Sequence, residues 1–110
     1  MAMEHRFSYR WPLKLQVALY SRGALVARGV CRNVSRDGMF VQVDPGLLFR
    51  NALVEVEILA EERSGRLRLP AMVAHCGHDG VGLVFDEVAE PESLQRLHAY
   101  LHHLRMRDTV

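Results

Sequence analysis

Lysine is almost missing from this chain. Thirteen of its fourteen basic residues are arginine, Lys14 being the exception. Cysteine is scarce as well: Cys31 and Cys76 are two in 110 residues. That is too few for a disulfide framework, so a reducing cytoplasm is the expected compartment. No apolar run approaches the ~18 residues of a membrane span, and the charged N-terminus is unlike a signal peptide. An excess of one charge is absent too. A formal net charge of +1 argues against general polyanion binding, which needs a concentrated basic face. His75, Cys76 and His78 lie near a turn, and His98, His102 and His103 lie in the C-terminal segment, yet no spacing matches a zinc motif. Solvated histidines and a small buried thiol are the expectation, with no metal and no cofactor. Ser35 with a histidine and Asp37 could be drawn as a triad, but no strand–turn–helix elbow holds a nucleophile, so no enzyme is expected.

What remains is an ordinary composition, 49% hydrophobic and 25% charged, in one domain covering residues 1–110. Arginine is the planar, bidentate group that suits phosphates and guanine edges. Codon usage in a GC-rich genome gives the same imbalance, so the ratio alone decides nothing.

Hydrophobic period decides more. Leu13, Leu15, Val17 and Leu19 alternate with Lys14, Gln16 and Ala18, the pattern of a half-buried strand. Ser21-Arg22-Gly23 reads as a turn, and Leu25 to Arg32 as a second strand with a bulge at Gly29. Met39 to Val43, Val54 to Ile58, Arg66 to His75 and Val81 to Phe85 complete six short strands. Pro70 marks a bulge or edge in the fifth. Turns every 8–12 residues indicate an antiparallel sandwich or barrel over 13–86. The period then changes. Pro91 suits a first helical turn, and Leu94, Leu97, Leu101 and Leu104 recur at steps of three and four. The spacing predicts one amphipathic helix over 91–106, its leucine stripe covering a barrel mouth or a partner surface.

Two motifs stand apart from this pattern. "HRFSYR" sets Arg6 and Arg10 ahead of Trp11-Pro12. A proline forces the residue before it out of the α region, so both arginines sit on a loop or strand lead-in. The second motif, "NVSRDG", spans Asn33 to Gly38 after strand two. A hairpin centred on 22–23 places Asn33 beside Pro12 and Ser35 beside Arg10. A slip of one or two residues would not undo that convergence.

Two arginines, a carboxamide, a hydroxyl and a permissive glycine on one spot suit a guanine nucleotide. Arginine grips a phosphate, or the O6 and N7 edge of guanine, through two parallel hydrogen bonds. Asn33 can accept from a guanine amino or imino group, and Ser35 can bond a phosphate oxygen. Gly38 lets backbone approach the ligand or takes a positive φ. A solvated arginine tail beside a simple Asx-type turn is the competing reading.

RxxxR at Arg6 and Arg10, then a strand hairpin, then (D/N)xSxxG at Asn33, Ser35 and Gly38, resembles the PilZ domain family. "GVGLVF", Gly80 to Phe85, is similar to that family's closing strand. The resemblance runs from about residue 5 to about residue 105. It implies a six-stranded antiparallel β-barrel with a C-terminal helix, and a bacterial receptor for cyclic di-GMP. Carried over by position, Arg6 and Arg10 would grip phosphates and guanine faces, while Asn33, Ser35 and Gly38 line the opposing barrel surface. His5 and Arg36 are secondary candidates. The family often has Asp where Asn33 stands, and His5 is a position that bears on whether one or two ligands bind.

On this reading, residues 1–12 form a mobile segment that the ligand orders, and the bound state passes to an unidentified partner protein. The alternative is a non-binding adaptor of the same fold in motility or pilus machinery. An RNA-binding small barrel is the weaker reading, because the sequence lacks an aromatic stacking platform on adjacent strands.

Overall fold

The computed structural model describes residues 11–44, 46, 48–59, 67–86, 88 and 90–108, with side chains of 11–13 and 105–108 excepted. Six strands follow one another: β1 (Trp11–Ser21), β2 (Ala24–Val34), β3 (Gly38–Gln42), β4 (Leu53–Ile58), β5 (Leu67–Gly77) and β6 (Gly80–Phe85). One helix, α1 (Pro91–Asp108), ends the order. All neighbouring strands are antiparallel, and they close as β1-β2-β3-β6-β5-β4, with β1 also paired to β4. Closure removes the free edges that an open sheet would present.

Alternation supplies the core. Val17, Leu19, Val41, Val56, Leu69, Val73 and Leu83 are fully or almost fully buried inside, each worth roughly 1.5–3 kcal/mol of transfer free energy. The leucine stripe of α1 joins the same core: Leu94, Leu97 and Leu101 are buried with Tyr100, and the helix packs against β5. The helix therefore covers the barrel. Its start is built as its sequence suggests. Pro91 occupies the first turn, the Leu94 N–H donates to the Glu90 carbonyl at 3.3 Å, and the Ser93 hydroxyl donates to Glu90 Oε1 at 2.8 Å.

The β1–β4 seam carries a polar staple on the outer wall. Glu57 is only 4% exposed. It accepts from the Tyr20 hydroxyl at 2.8 Å and pairs with Arg68 at 3.6 Å. Arg68 also reaches Glu55 at 3.3 Å and lies over the Tyr20 ring at 3.9 Å from its centroid. Three strands are thus tied by one buried carboxylate, which needs these partners to tolerate burial.

The β1–β2 register positions the candidate site. Arg22 and Gly23 both take positive φ, 53° and 82°, the requirement of a tight two-residue hairpin turn whose twist matches the strands. Ser21 faces Ala24 and Tyr20 faces Leu25; an extra residue at Val26 then shifts the ladder by one. A second irregularity between Pro12 and Leu15 shifts it back, so Pro12 faces Asn33 and Trp11 faces Val34.

Gly29 is not the bulge its sequence context suggests. It pairs regularly with Val17, and the extra residues of β2 are Val26 toward β1 and Arg32 toward β3. Glycine is needed at 29 because a Cβ there would lie 2.6 Å from the Gln42 carbonyl oxygen. The irregularity of β5 likewise falls at Ala74, not Pro70. Pro70 stands where β6 ends, its carbonyl accepting from the Asp86 N–H at 3.0 Å, so its missing donor interrupts no ladder.

Candidate ligand site

β2 ends at Val34, and the chain turns through Ser35, Arg36 and Asp37 into β3 at Gly38. The Ser35 N–H donates to the Gly38 carbonyl at 2.8 Å. The Ser35 hydroxyl accepts from the Asp37 N–H at 3.3 Å and lies 3.4 Å from the Gly38 oxygen. At 1% exposure, this hydroxyl braces the turn from inside. The loop is also tied sideways: the Asp37 carbonyl accepts from the Phe85 N–H at 2.7 Å. From the helix, His98 Nε2 lies 3.1 Å from the Arg36 carbonyl oxygen. Two neighbours thus fix its backbone, while Arg36 and Asp37 are exposed at the tip.

Gly38 takes no positive φ, which removes one of its two expected roles and leaves a structural reason visible for it. A Cβ on Gly38 would stand 1.9 Å from the Leu83 carbonyl oxygen. Glycine is required because β3 and β6 approach too closely there for any side chain, and Gly38 itself is buried. Asn33 is half-buried. Its strand neighbour Val34 is fully buried in the core, so alternation turns Asn33 to the outer wall.

His5, Arg6 and Arg10 lie outside the described residues. The chain enters the barrel at Trp11, and Trp11 pairs with Val34, the residue before Ser35. The N-terminal segment that carries both arginines therefore joins the barrel at the edge where the loop of residues 35–38 sits. Among the described residues, β1 begins at Trp11.

The remaining candidates separate. Cys31 is buried, but Cys76 is exposed, which corrects the expected buried thiol: the register shift at Ala74 breaks the in–out alternation of β5 ahead of Cys76, which pairs with Val81 beside the Gly77–Gly80 turn. Among the described residues, no three His, Cys, Asp or Glu side chains converge at metal-binding distance. Among the described residues, no helix is long and apolar enough to cross a membrane.

Sequence reasoning missed the His98 contact because it joins residues 62 apart. It also missed the Tyr20–Glu57–Arg68 staple, although Glu55 and Glu57 on the outward face of an alternating strand were a signal that cations stand opposite.

Against known proteins, the family model for the PilZ domain matches residues 4–103. Among solved structures, the chain is similar to the PilZ domain of CeSA from a cellulose synthesizing bacterium. The TM-score is 0.71 at 24% sequence identity, covering 87% of this chain and 100% of that one. No curated protein gives a significant match. The six-stranded closed barrel with its C-terminal helix is the fold of that neighbour, and the chain belongs to the PilZ domain family, a family of cyclic di-GMP receptors.

Proposed function

We propose that this chain binds cyclic di-GMP where its N-terminal segment meets the loop of residues 35–38, and relays the bound state to a partner protein. The observation that carries the reading is the pairing of Trp11 with Val34 and of Pro12 with Asn33. Through it, the segment with both motif arginines and the strand end with the second motif meet at one edge.

In this reading Arg6 and Arg10 supply the charge, gripping phosphates and the guanine O6 and N7 edge in bidentate fashion. Asn33, on the outer wall, carries the acceptor and donor types that a guanine edge pairs with. Ser35 acts through shape: its hydroxyl holds the turn so that the loop presents a fixed surface. Arg36 at the exposed tip is a secondary cation. The relay follows from linkage, because a partner responds to the ligand only if it binds one position of the N-terminal segment better than another.

The adaptor reading also has an observation in its favour. Ser35 and Gly38 both have structural reasons to be what they are, so a barrel could keep them without a ligand. Arg6 and Arg10 precede β1 in the sequence, and they separate the two readings. Calorimetric titration with cyclic di-GMP, with GTP as control, is the test. Saturable heat for the dinucleotide alone is expected; no heat from a folded sample leaves the adaptor.

A further inference from the structure

The outer wall across the barrel from β2 carries an apolar face that the ligand reading does not use. Leu53 on β4 stands beside Met72 on β5, and Met72 beside Val84 on β6, forming one cross-strand row. All three are exposed, Leu53 by 76%. Phe49 and Val88, exposed by 71% and 91%, rise on either side of the row. Together they shape a groove of about 890 Å³. Phe49 is held in place from behind: Asn51 takes φ 72° and donates its N–H to the Val73 carbonyl at 2.7 Å, while the Ala52 N–H donates to the Phe49 carbonyl at 3.1 Å. Large apolar side chains gathered in this way mark an interaction surface.

The charges at the rim indicate the occupant. Tyr20 faces Glu55, so Arg22, two residues on, borders the Leu53 end of the row from the β1 side. Asp86 borders the other end, past β6, where its N–H meets the Pro70 carbonyl. Both residues line the groove. Glu55 lines the Arg22 flank as well but is engaged by Arg68 of its own chain at 3.3 Å, and an apolar centre with Arg22 on one flank and Asp86 on the other is self-complementary. A two-fold axis lying in the interface, parallel to the strands and between β4 and β5, exchanges the flanks. It sets Arg22 of one chain over Asp86 of the next, twice, and Leu53 of each chain against Met72 of the other. A purely acidic or purely basic partner would match one flank and be repelled by the other.

We propose that two copies of this chain associate through the Leu53–Met72–Val84 face. This does not rest on the nucleotide reading.

Sedimentation equilibrium of the full chain over a wide concentration range tests it. Wild type should move from the 12.5 kDa chain mass toward twice that value as concentration rises. Leu53→Glu should remain monomeric, and if circular dichroism shows it unfolded, Val88→Glu serves instead, since Val88 lies outside the strands. Arg22→Asp or Asp86→Arg alone should weaken association about tenfold, each charge being counted twice by symmetry. The two together should restore it. A wild type that stays monomeric into the millimolar range overturns the proposal, as does a dimer that survives Leu53→Glu and Val88→Glu. Failure of the double reversal to restore association overturns the arrangement about the axis.

Discussion

Two loops of this barrel look alike in sequence and differ in physics. Ser21-Arg22-Gly23 joins β1 to β2, and Ser35-Arg36-Asp37-Gly38 joins β2 to β3. They lie at opposite ends of an eleven-residue strand, roughly 33 Å apart at ~3.3 Å per residue. Each opens with serine, carries an arginine and closes with glycine. Gly23 sits at φ 82° with nothing within 4 Å of its missing Cβ, whereas Gly38 has no positive φ and a backbone oxygen 1.9 Å from that position. One glycine supplies a dihedral angle, the other supplies space. The first turn could be rebuilt from local chemistry; the second is fixed by a strand nearly fifty residues downstream.

Replacing each glycine by alanine breaks this comparison most sharply. Gly38→Ala must push β3 from β6, since the obstacle is backbone and cannot rotate away. The cost should be ~3 kcal/mol or more, with severe loss of Tm. Gly23→Ala meets only the left-handed backbone penalty of ~1 kcal/mol. Urea unfolding of both variants measures the difference. Equal costs would mean that the close approach at Leu83 relaxes, and that the two loops are one kind of turn.

The arginines sharpen the comparison next, in affinity instead of stability. Arg6→Ala and Arg10→Ala should each weaken cyclic di-GMP binding by at least ~1.5–3 kcal/mol, the worth of a charge-assisted hydrogen bond. Folding should be unchanged, because both precede β1. Arg22→Ala, at the far end of β2, is the internal control and should leave the titration as it was. An equal loss from Arg22→Ala would show that the nucleotide senses overall charge and not the edge beside Val34.

The six strands and the helix were legible because alternation and the helical period are local properties. The meeting of Pro12 with Asn33 was legible as well, since a tight turn at 22–23 sets the register. Two irregularities in the ladder intervened, at Val26 and near Leu13, and they cancelled. The cause of Gly38 was not legible. Its neighbour β6 adjoins β3 only through the closed order of the barrel, which no local pattern encodes. The bulge placed at Gly29 failed for the same reason, because the crowding there comes from Gln42 on a different strand. The positions of Arg6 and Arg10 at a ligand rest on the resemblance and on the pairing at Trp11.

The smallest effect tests what holds the second loop in place. His98 of α1 meets the Arg36 carbonyl at 3.1 Å, and the first loop has no helix beside it. One partly solvated hydrogen bond is worth about 1 kcal/mol, so His98→Ala should lower global stability by no more than that, with the leucine stripe still seated. The local consequence is larger than the global one. Freed from the helix, the loop loses its tie to α1, while the Phe85 tie and the serine brace remain. Amide exchange at Asp37 and Gly38 should therefore quicken while that of Val41 and Leu83 stays slow, since sub-global opening need not involve the core. His98→Gln, whose amide can still donate, should return exchange toward wild type. If His98→Ala leaves Asp37 and Gly38 as protected as before, then the barrel-side contacts hold the loop without the helix. The two turns would then differ in their glycines and not in their support.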